Sequence, residues 1–283
     1  MTRRRRLRGA LITGLSLALV AGGIYTAVTL VQRSEQLITE GCTAAVGSQR
    51  ADLATDQAAN AALITAVSVR RGLPPRAASI ALATAMQESK LRNIGHGDLA
   101  GPDSRGLFQQ RPSQGWGTQE EVMDPVYATN AFYDALVKVP GYATLEITDA
   151  AQRVQRSAYP TAYAEHEAMG RAFASALSGE TPASLNCTLR SPEAAGDPAA
   201  LSNELEAAYG AIPVAATGQT LQVDVDSSYA WSVAHWAVAN AKDLAVERVD
   251  VDSKRWERKA RNGWQDAPGS GGGVAITLAA EGS

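Results

Sequence analysis

The chain is poor in the residues that build metal sites. Its 283 residues include only two cysteines and three histidines. Two cysteines cannot complete a four-cysteine zinc site. His96, His166 and His235 are each about 70 residues from the next, a spacing that does not favour a zinc site either. We therefore predict no metal site and no cofactor.

Beyond its first residues the chain also lacks a basic block. Of its 26 lysines and arginines, five stand within the first eight positions, which leaves 21 bases against 29 acids and a net charge of about −8 for the remainder. A protein that binds nucleic acid usually presents a basic surface to the phosphates. We therefore expect no nucleic-acid partner.

The amino terminus has the pattern of a membrane anchor. An arginine cluster at positions 3–8 precedes an uncharged apolar run over 9–31. At a rise of about 1.5 Å per residue this run can cross a hydrocarbon core of roughly 30 Å. The arginines keep their end in the cytoplasm, so the rest of the chain is predicted to lie outside it. A cleaved signal peptide is the alternative, although its apolar core is usually only about 7–15 residues long.

The remaining pattern predicts a mainly α protein. After the cytoplasmic tip and single-pass transmembrane helix (1–33), we predict a stalk (34–51) and an all-α domain (52–180) of apolar-periodic helices. A segment rich in Gly, Pro, Ser and Ala (181–200) is predicted to be a linker. In 201–283, alternating strands and two helices predict a small α/β domain.

Cys42 and Cys187 bracket the all-α domain. Outside the cytoplasm such a pair favours a disulfide over free thiols. A bond that closes so long a loop could stabilise the fold by roughly 4–5 kcal/mol. The alternative is two buried cysteines that are not bonded to each other.

Glu88 is the candidate catalytic acid. The alanine-rich segment 75–90 predicts a helix, in which Glu88 shares an inward stripe of small residues with Ala85. Glu88 also lies in the last turn, where the helix dipole opposes a negative charge, so burial and dipole both raise its pKa. Cleavage of a glycosidic bond requires such a protonated acid. Alternatively, Glu88 faces solvent and pairs with Lys90 or Arg92.

Two segments around Glu88 resemble a known signature. The segments 87–93 and 103–112 contain a Glu-Ser pair at a helix end and then Ser-Arg-Gly-Leu-Phe-Gln. Together they resemble the motif of soluble lytic transglycosylases in the lysozyme-like superfamily, over roughly residues 55 to 180. Ala158-Tyr159 is similar to the family's Ala-Tyr-Asn, but Pro160 replaces the Asn.

The resemblance implies a lysozyme-like fold for the all-α domain and a function in cleaving peptidoglycan. Glu88 would protonate the oxygen that joins N-acetylmuramic acid to N-acetylglucosamine. Ser104, Gln109, Gln110 and Tyr159 would hold the glycan strand. In enzymes of this type no second carboxylate is essential, because the muramic C6 hydroxyl attacks the anomeric carbon and gives a 1,6-anhydro product.

A hydrolase would instead need a second acid to activate water, at about 6.5–9.5 Å from the first. Asp98, Asp103, Glu120 and Glu121 are candidates for that acid. The sequence therefore leaves lyase and hydrolase open.

The segment 231–239, with the later Trp256, resembles the carboxy-terminal domain that follows such modules in actinobacterial surface proteins. That domain is similar to a zinc carboxypeptidase, but the metal-binding His is missing here, which indicates a degenerate, non-catalytic module. Its tryptophans would pack in the core or stack on sugars. The alternative function for the whole chain is accordingly a non-catalytic peptidoglycan-binding or cell-wall assembly protein that keeps the lysozyme-like fold.

Overall fold

The computed structural model describes residues 22–23, 35–99, 101–157, 161–269 and 272–282. The chain divides into two units, Met1–Thr39 and Glu40–Ser283. Apart from Gly22 and Gly23, the predicted transmembrane run 9–31 lies outside the described residues. No helix within the described ranges has the length and apolar character needed to cross a membrane.

The second unit contains all the strands and helices named below. The strands are β1 (Gly41–Val46), β2 (Gln49–Leu53), β3 (Leu185–Thr188), β4 (Val214–Thr217), β5 (Thr220–Val223), β6 (Val246–Val251), β7 (Lys254–Glu257), β8 (Trp264–Asp266) and β9 (Val274–Leu278). The helices are α1 (Thr55–Arg70), α2 (Pro75–Ser89), α3 (Gln119–Met123), α4 (Pro125–Leu136), α5 (Ile147–Gln155), α6 (Glu167–Leu177), α7 (Pro198–Tyr209) and α8 (Ser227–Ala239).

The prediction of a mainly α protein is wrong. The strands form two antiparallel sheets, one of three strands and one of six, so the protein is a mixed α/β fold. The expected stalk contains β1 and most of β2, and the expected linker contains β3. These strands are short, and β2 is mostly exposed. Because so short a strand gives little periodic signal, only pairing with a distant strand reveals it.

The three-stranded sheet has the order β2-β1-β3. Cys42 lies directly opposite Cys187 in the register of β1 and β3. The two form the predicted disulfide, which spans 145 residues. Both cysteines are 1% exposed, so the bond lies in the interior.

The helix that ends at Glu88 is packed tightly into the helical layer. Every residue of α2 from Ala77 to Ala85 is buried. Its main neighbour is α6, where a Cβ added to Gly170 would lie 2.7 Å from the backbone oxygen of Ser79. Only glycine allows the two helices to approach so closely. The small residues of α2 thus give Glu88 a rigid support.

The six-stranded sheet has the order β4-β5-β9-β6-β7-β8 and packs against α8. Every residue from Ala230 to Ala239 is buried, because α8 also contacts α1 and α6. The Ser232 hydroxyl donates to the Leu177 carbonyl (2.7 Å), and the His235 Nδ1 lies 2.6 Å from the Ala176 carbonyl. These contacts provide partners for carbonyls at the end of α6, which otherwise have none within the helix.

Three tryptophans of the carboxy-terminal part contribute to the hydrophobic core. Trp256 is fully buried and donates its indole N–H to Asn186 (2.8 Å). Trp231, 7% exposed, donates to Asp252 (2.7 Å) and lies edge-on to Trp264 with ring centroids 5.0 Å apart. These rings fill the space between α8, β3 and the sheet.

Candidate active site

The carboxyl end of α2 places Glu88 at the wall of an open cleft. The helix stops because Lys90 and then Leu91 adopt positive φ values of 56° and 55°, a conformation that is uncommon for residues with side chains. The chain therefore turns back sharply after Ser89. This turn leaves Glu88 in the partly buried last turn of a helix whose body is buried.

The Glu88 carboxyl group is half-buried and hydrogen-bonded. The Tyr163 hydroxyl donates to its Oε1 at 2.7 Å. Burial raises the pKa of Glu88; the hydrogen bonds from Tyr163 and Gln155 oppose this effect, and the negative charge of Asp98 adds to it. The net result is a raised pKa, because desolvation of the charged form is the largest contribution.

The alternative ion pair between Glu88 and Arg92 is replaced by a pair between Arg92 and Asp56. Arg92 donates to both carboxylate oxygens of Asp56, at 2.6 and 3.2 Å. Both side chains of this pair are about half-exposed. Arg92 is therefore engaged with another carboxylate while Glu88 contacts Tyr163.

The cleft beside Glu88 has a volume of about 660 Å³. It brings together four of the five predicted site residues, since Ser104, Gln109 and Gln110 line it with Glu88. The fifth, Tyr159, lies outside the described residues. The lining is mostly neutral and polar, which suits a ligand that offers many hydroxyl and amide groups.

A hydrogen bond and a close backbone contact fix the loop around Gly106 next to the end of α2. The Ser89 hydroxyl donates to the Leu107 carbonyl at 2.7 Å. Gly106 has a φ of 78°, and a Cβ there would lie 2.1 Å from the backbone oxygen of Val122. No other residue fits this position, because a side chain would clash with backbone. Ser89 and Gly106 therefore fix the distance between the two walls of the cleft.

The two glutamines of the loop have different surroundings. Gln110 is 2% exposed and donates its side-chain amide to the Ala128 carbonyl at 3.0 Å. Its Oε1 has no hydrogen-bond partner among the described residues. Gln109 is half-buried with a φ of 48°, and its amide donates to the Gly106 carbonyl at 3.2 Å. From this left-handed backbone position Gln109 lines the cleft.

Of the four candidate second acids, only Asp98 lines the cleft. Asp103 accepts a hydrogen bond from Arg111 at 2.9 Å, and its hydrogen bonds hold its pKa well below the usual range. Glu120 and Glu121 lie in the first turn of α3. The Glu121 carboxylate accepts from a backbone N–H of that helix start at 2.7 Å. Only Asp98 therefore shares a cavity with the candidate acid.

No known family model matches this chain, and no curated protein is significantly similar to it. Within the described ranges no group of three or more His, Cys, Asp and Glu side chains could hold a metal ion. What the cleft offers is one carboxyl group with a raised pKa, one nearby carboxylate, and amide and hydroxyl groups around them.

Sequence reasoning missed two residues that contact the candidate acid. Gln155, the last residue of α5, lines the cleft and donates to the Phe108 carbonyl at 2.8 Å. Tyr163 is fully buried beside Glu88. For Tyr163 a signal was present, because the sequence has a second Ala-Tyr pair at 162–163, four residues after the pair at 158–159. For Gln155 there was none, since only the packing of α5 brings it to the cleft.

Proposed function

We propose that this protein cleaves the glycan strand of peptidoglycan at the bond between N-acetylmuramic acid and N-acetylglucosamine. The observation that supports this most directly is the Glu88 carboxyl group, with its raised pKa, at the wall of an open polar cleft. The resemblance of this region to soluble lytic transglycosylases, and so to the lysozyme-like superfamily, supports the same proposal.

In the proposed reaction, protonated Glu88 donates its proton to the glycosidic oxygen. The bond from that oxygen to the anomeric carbon of the muramic residue breaks, and its electron pair stays on the leaving oxygen. The C6 hydroxyl of the same sugar then attacks the anomeric carbon, and its proton returns to the Glu88 carboxylate. The Tyr163 hydroxyl stabilises that carboxylate between the two steps, because it donates to Oε1. The product has a 1,6-anhydro end.

Hydrolysis is the competing form of this reaction. It requires a carboxylate that accepts a proton from water, and Asp98 is the acid that shares the cleft with Glu88. Asp98→Asn separates the two forms. A lyase keeps forming anhydro products in this variant, whereas a hydrolase loses most of its turnover and forms reducing ends when active.

We further propose that the reaction takes place outside the cytoplasm. The Cys42–Cys187 disulfide supports this location, since such bonds persist mainly in oxidising compartments. Attachment to the cell membrane through residues 9–31 stays a prediction.

The deciding experiment compares the wild type with Glu88→Gln on purified peptidoglycan, with soluble products identified by mass spectrometry. Loss of one positioned acid should lower the rate by about 10²–10⁴-fold. Glu120→Gln, which removes an exposed acid outside the cleft, is the matched control and should keep full activity. Thermal unfolding checks that both variants fold.

Two results would contradict the proposal. If Glu88→Gln releases the same products at the wild-type rate, Glu88 is not the acid. If the wild type sediments with peptidoglycan but releases no soluble fragment, the protein is a wall-binding protein without turnover.

A further inference from the structure

The cleft beside Glu88 continues into a second groove. Gln114, Trp116, Gln155 and Arg156 line both cavities. The second cavity, of about 790 Å³, lies between α4 and the end of α5. We call it the distal groove. A linear polymer held at Glu88 could therefore continue past Trp116 without leaving the surface.

The distal groove has exposed positive charge. Lys138, Arg153 and Arg156 line it and are exposed. None of the three forms an ion pair with a described residue. The acid that lines this groove, Asp134, is already paired with Arg71 at 2.6 Å. In a chain whose net charge is negative, this groove is a local positive site, which attracts anions.

The junction of the two cavities has aromatic side chains. Trp116 is half-buried and lines both. Tyr127, also half-buried, lines the distal groove and packs against Gly117, where a Cβ would lie 2.6 Å from the Tyr127 hydroxyl oxygen. Partly exposed aromatic rings offer an apolar face and a polar edge. A sugar ring can pack on such a face while charged groups on the same polymer reach the cations.

We propose that the distal groove binds the free carboxylates of the peptides that branch from the glycan strand held in the cleft. This inference rests on the proposed function and names the part of the substrate that this groove recognises. Arginine suits the task, because its planar guanidinium donates two parallel hydrogen bonds to one carboxylate. The strand and its peptides would thus be recognised separately, the sugars by neutral amides near Glu88 and the peptides by cations beyond Trp116.

The test measures binding, so that it does not depend on turnover. The full-length protein with Glu88→Gln is incubated with insoluble peptidoglycan and the bound fraction is measured after sedimentation. Two preparations are compared: one untreated, and one whose free carboxyl groups have been converted to amides. We expect Glu88→Gln to bind the untreated preparation about five- to tenfold more tightly, which corresponds to two or three exposed charge pairs.

Adding Arg153→Gln and Arg156→Gln should abolish this difference, and Arg153→Gln alone, which lies outside the Glu88 cleft, should leave binding to the amidated preparation unchanged. The matched control adds Arg50→Gln and Lys259→Gln, which remove two exposed charges elsewhere and should keep the difference. Because cations near the end of α5 also stabilise that helix through its dipole, thermal unfolding is measured for each variant. If the arginine variant unfolds, Lys138→Gln, which follows α4, gives the same test with a smaller loss.

Equal binding to both preparations, or unchanged binding by the arginine variant, overturns the inference and leaves the proposed function intact. Displacement by polyphosphate at concentrations at which free stem peptide has no effect would also overturn it, because the groove would then prefer phosphate. Failure to bind either preparation overturns the proposed function together with the inference.

Discussion

Breaking the Cys42–Cys187 bond should remove a large part of the stability of the fold. The bond joins directly opposed residues of β1 and β3, so the native sheet is held by backbone hydrogen bonds whether or not the bond is present. Reduction therefore acts mainly on the unfolded chain, which gains the freedom of an open loop. We expect little change in the folded structure and a large change in the free energy of unfolding.

The magnitude follows from the length of the loop. For the 145 residues between the cysteines, the chain-entropy relation gives a loss of about 5 kcal/mol on reduction. A typical domain has a total stability of only about 5–15 kcal/mol. The reduced protein should therefore be marginally stable at physiological temperature.

Urea unfolding with and without reductant measures this loss. The control is the double variant Cys42→Ala, Cys187→Ala, which should be as unstable as the reduced wild type and should not respond to reductant. Alanine suits these positions because both side chains are buried, where serine would add an unpaired hydroxyl group. A loss of less than about 1 kcal/mol on reduction would refute the loop-entropy reasoning, because a single exposed ion pair can contribute that much.

Three further predictions test the site and its surroundings. Tyr163→Phe removes a hydrogen bond that lowers the pKa of Glu88, so the pKa rises and the alkaline limb of the pH–activity profile should move to higher pH; an unchanged limb would contradict this. Gly106→Ala combines a positive φ with a clash against the backbone, whereas Gly115→Ala has a similar φ but no atom near the added methyl group. In urea unfolding Gly106→Ala should therefore lose about 1–3 kcal/mol more stability than Gly115→Ala. Equal losses would rule out the clash. Burial lowers the pKa of His235 to about 4, so on acidification the unfolded chain takes up a proton before the folded protein does. The free energy of unfolding should therefore fall by up to about 3 kcal/mol as the pH drops from about 6.5 to 4. Thermal unfolding should show this pH dependence in the wild type and lose it in His235→Gln.

The sequence predicted the helices better than the strands. The α2 segment was predictable because proline at its start and a long run of alanines specify a helix locally. The strands β5 and β9 were also visible, because their alternation of buried and partly buried residues is regular. In contrast, β1 and β3 are paired across about 140 residues, so each depends on the other for its hydrogen bonds. That information is not local, so periodicity could not reveal it.

The site was predictable where residues close in sequence form it. Glu88 and Gln109 belong to two segments that are close in sequence, and their types alone suggest acid and amide roles. Gln155 and Tyr163 come from α5 and from the segment before α6, more than 60 residues later. Their proximity depends on how those helices pack on α2. The distal groove depends on the same packing, and no sequence pattern predicted it.

The burial of α8 has a consequence for how the protein could be shortened. Ser232 and His235 provide partners for the last carbonyls of α6, and α6 in turn packs against the helix that ends at Glu88. A fragment that stops near residue 200 would expose the apolar faces that α8 covers, and the Leu177 carbonyl would lose the hydrogen bond that Ser232 donates. The carboxy-terminal third thus supports the helices that form the cleft and is not a separable domain. Replacing it with an unrelated domain would also require changes to the surfaces of α1 and α6 that contact α8.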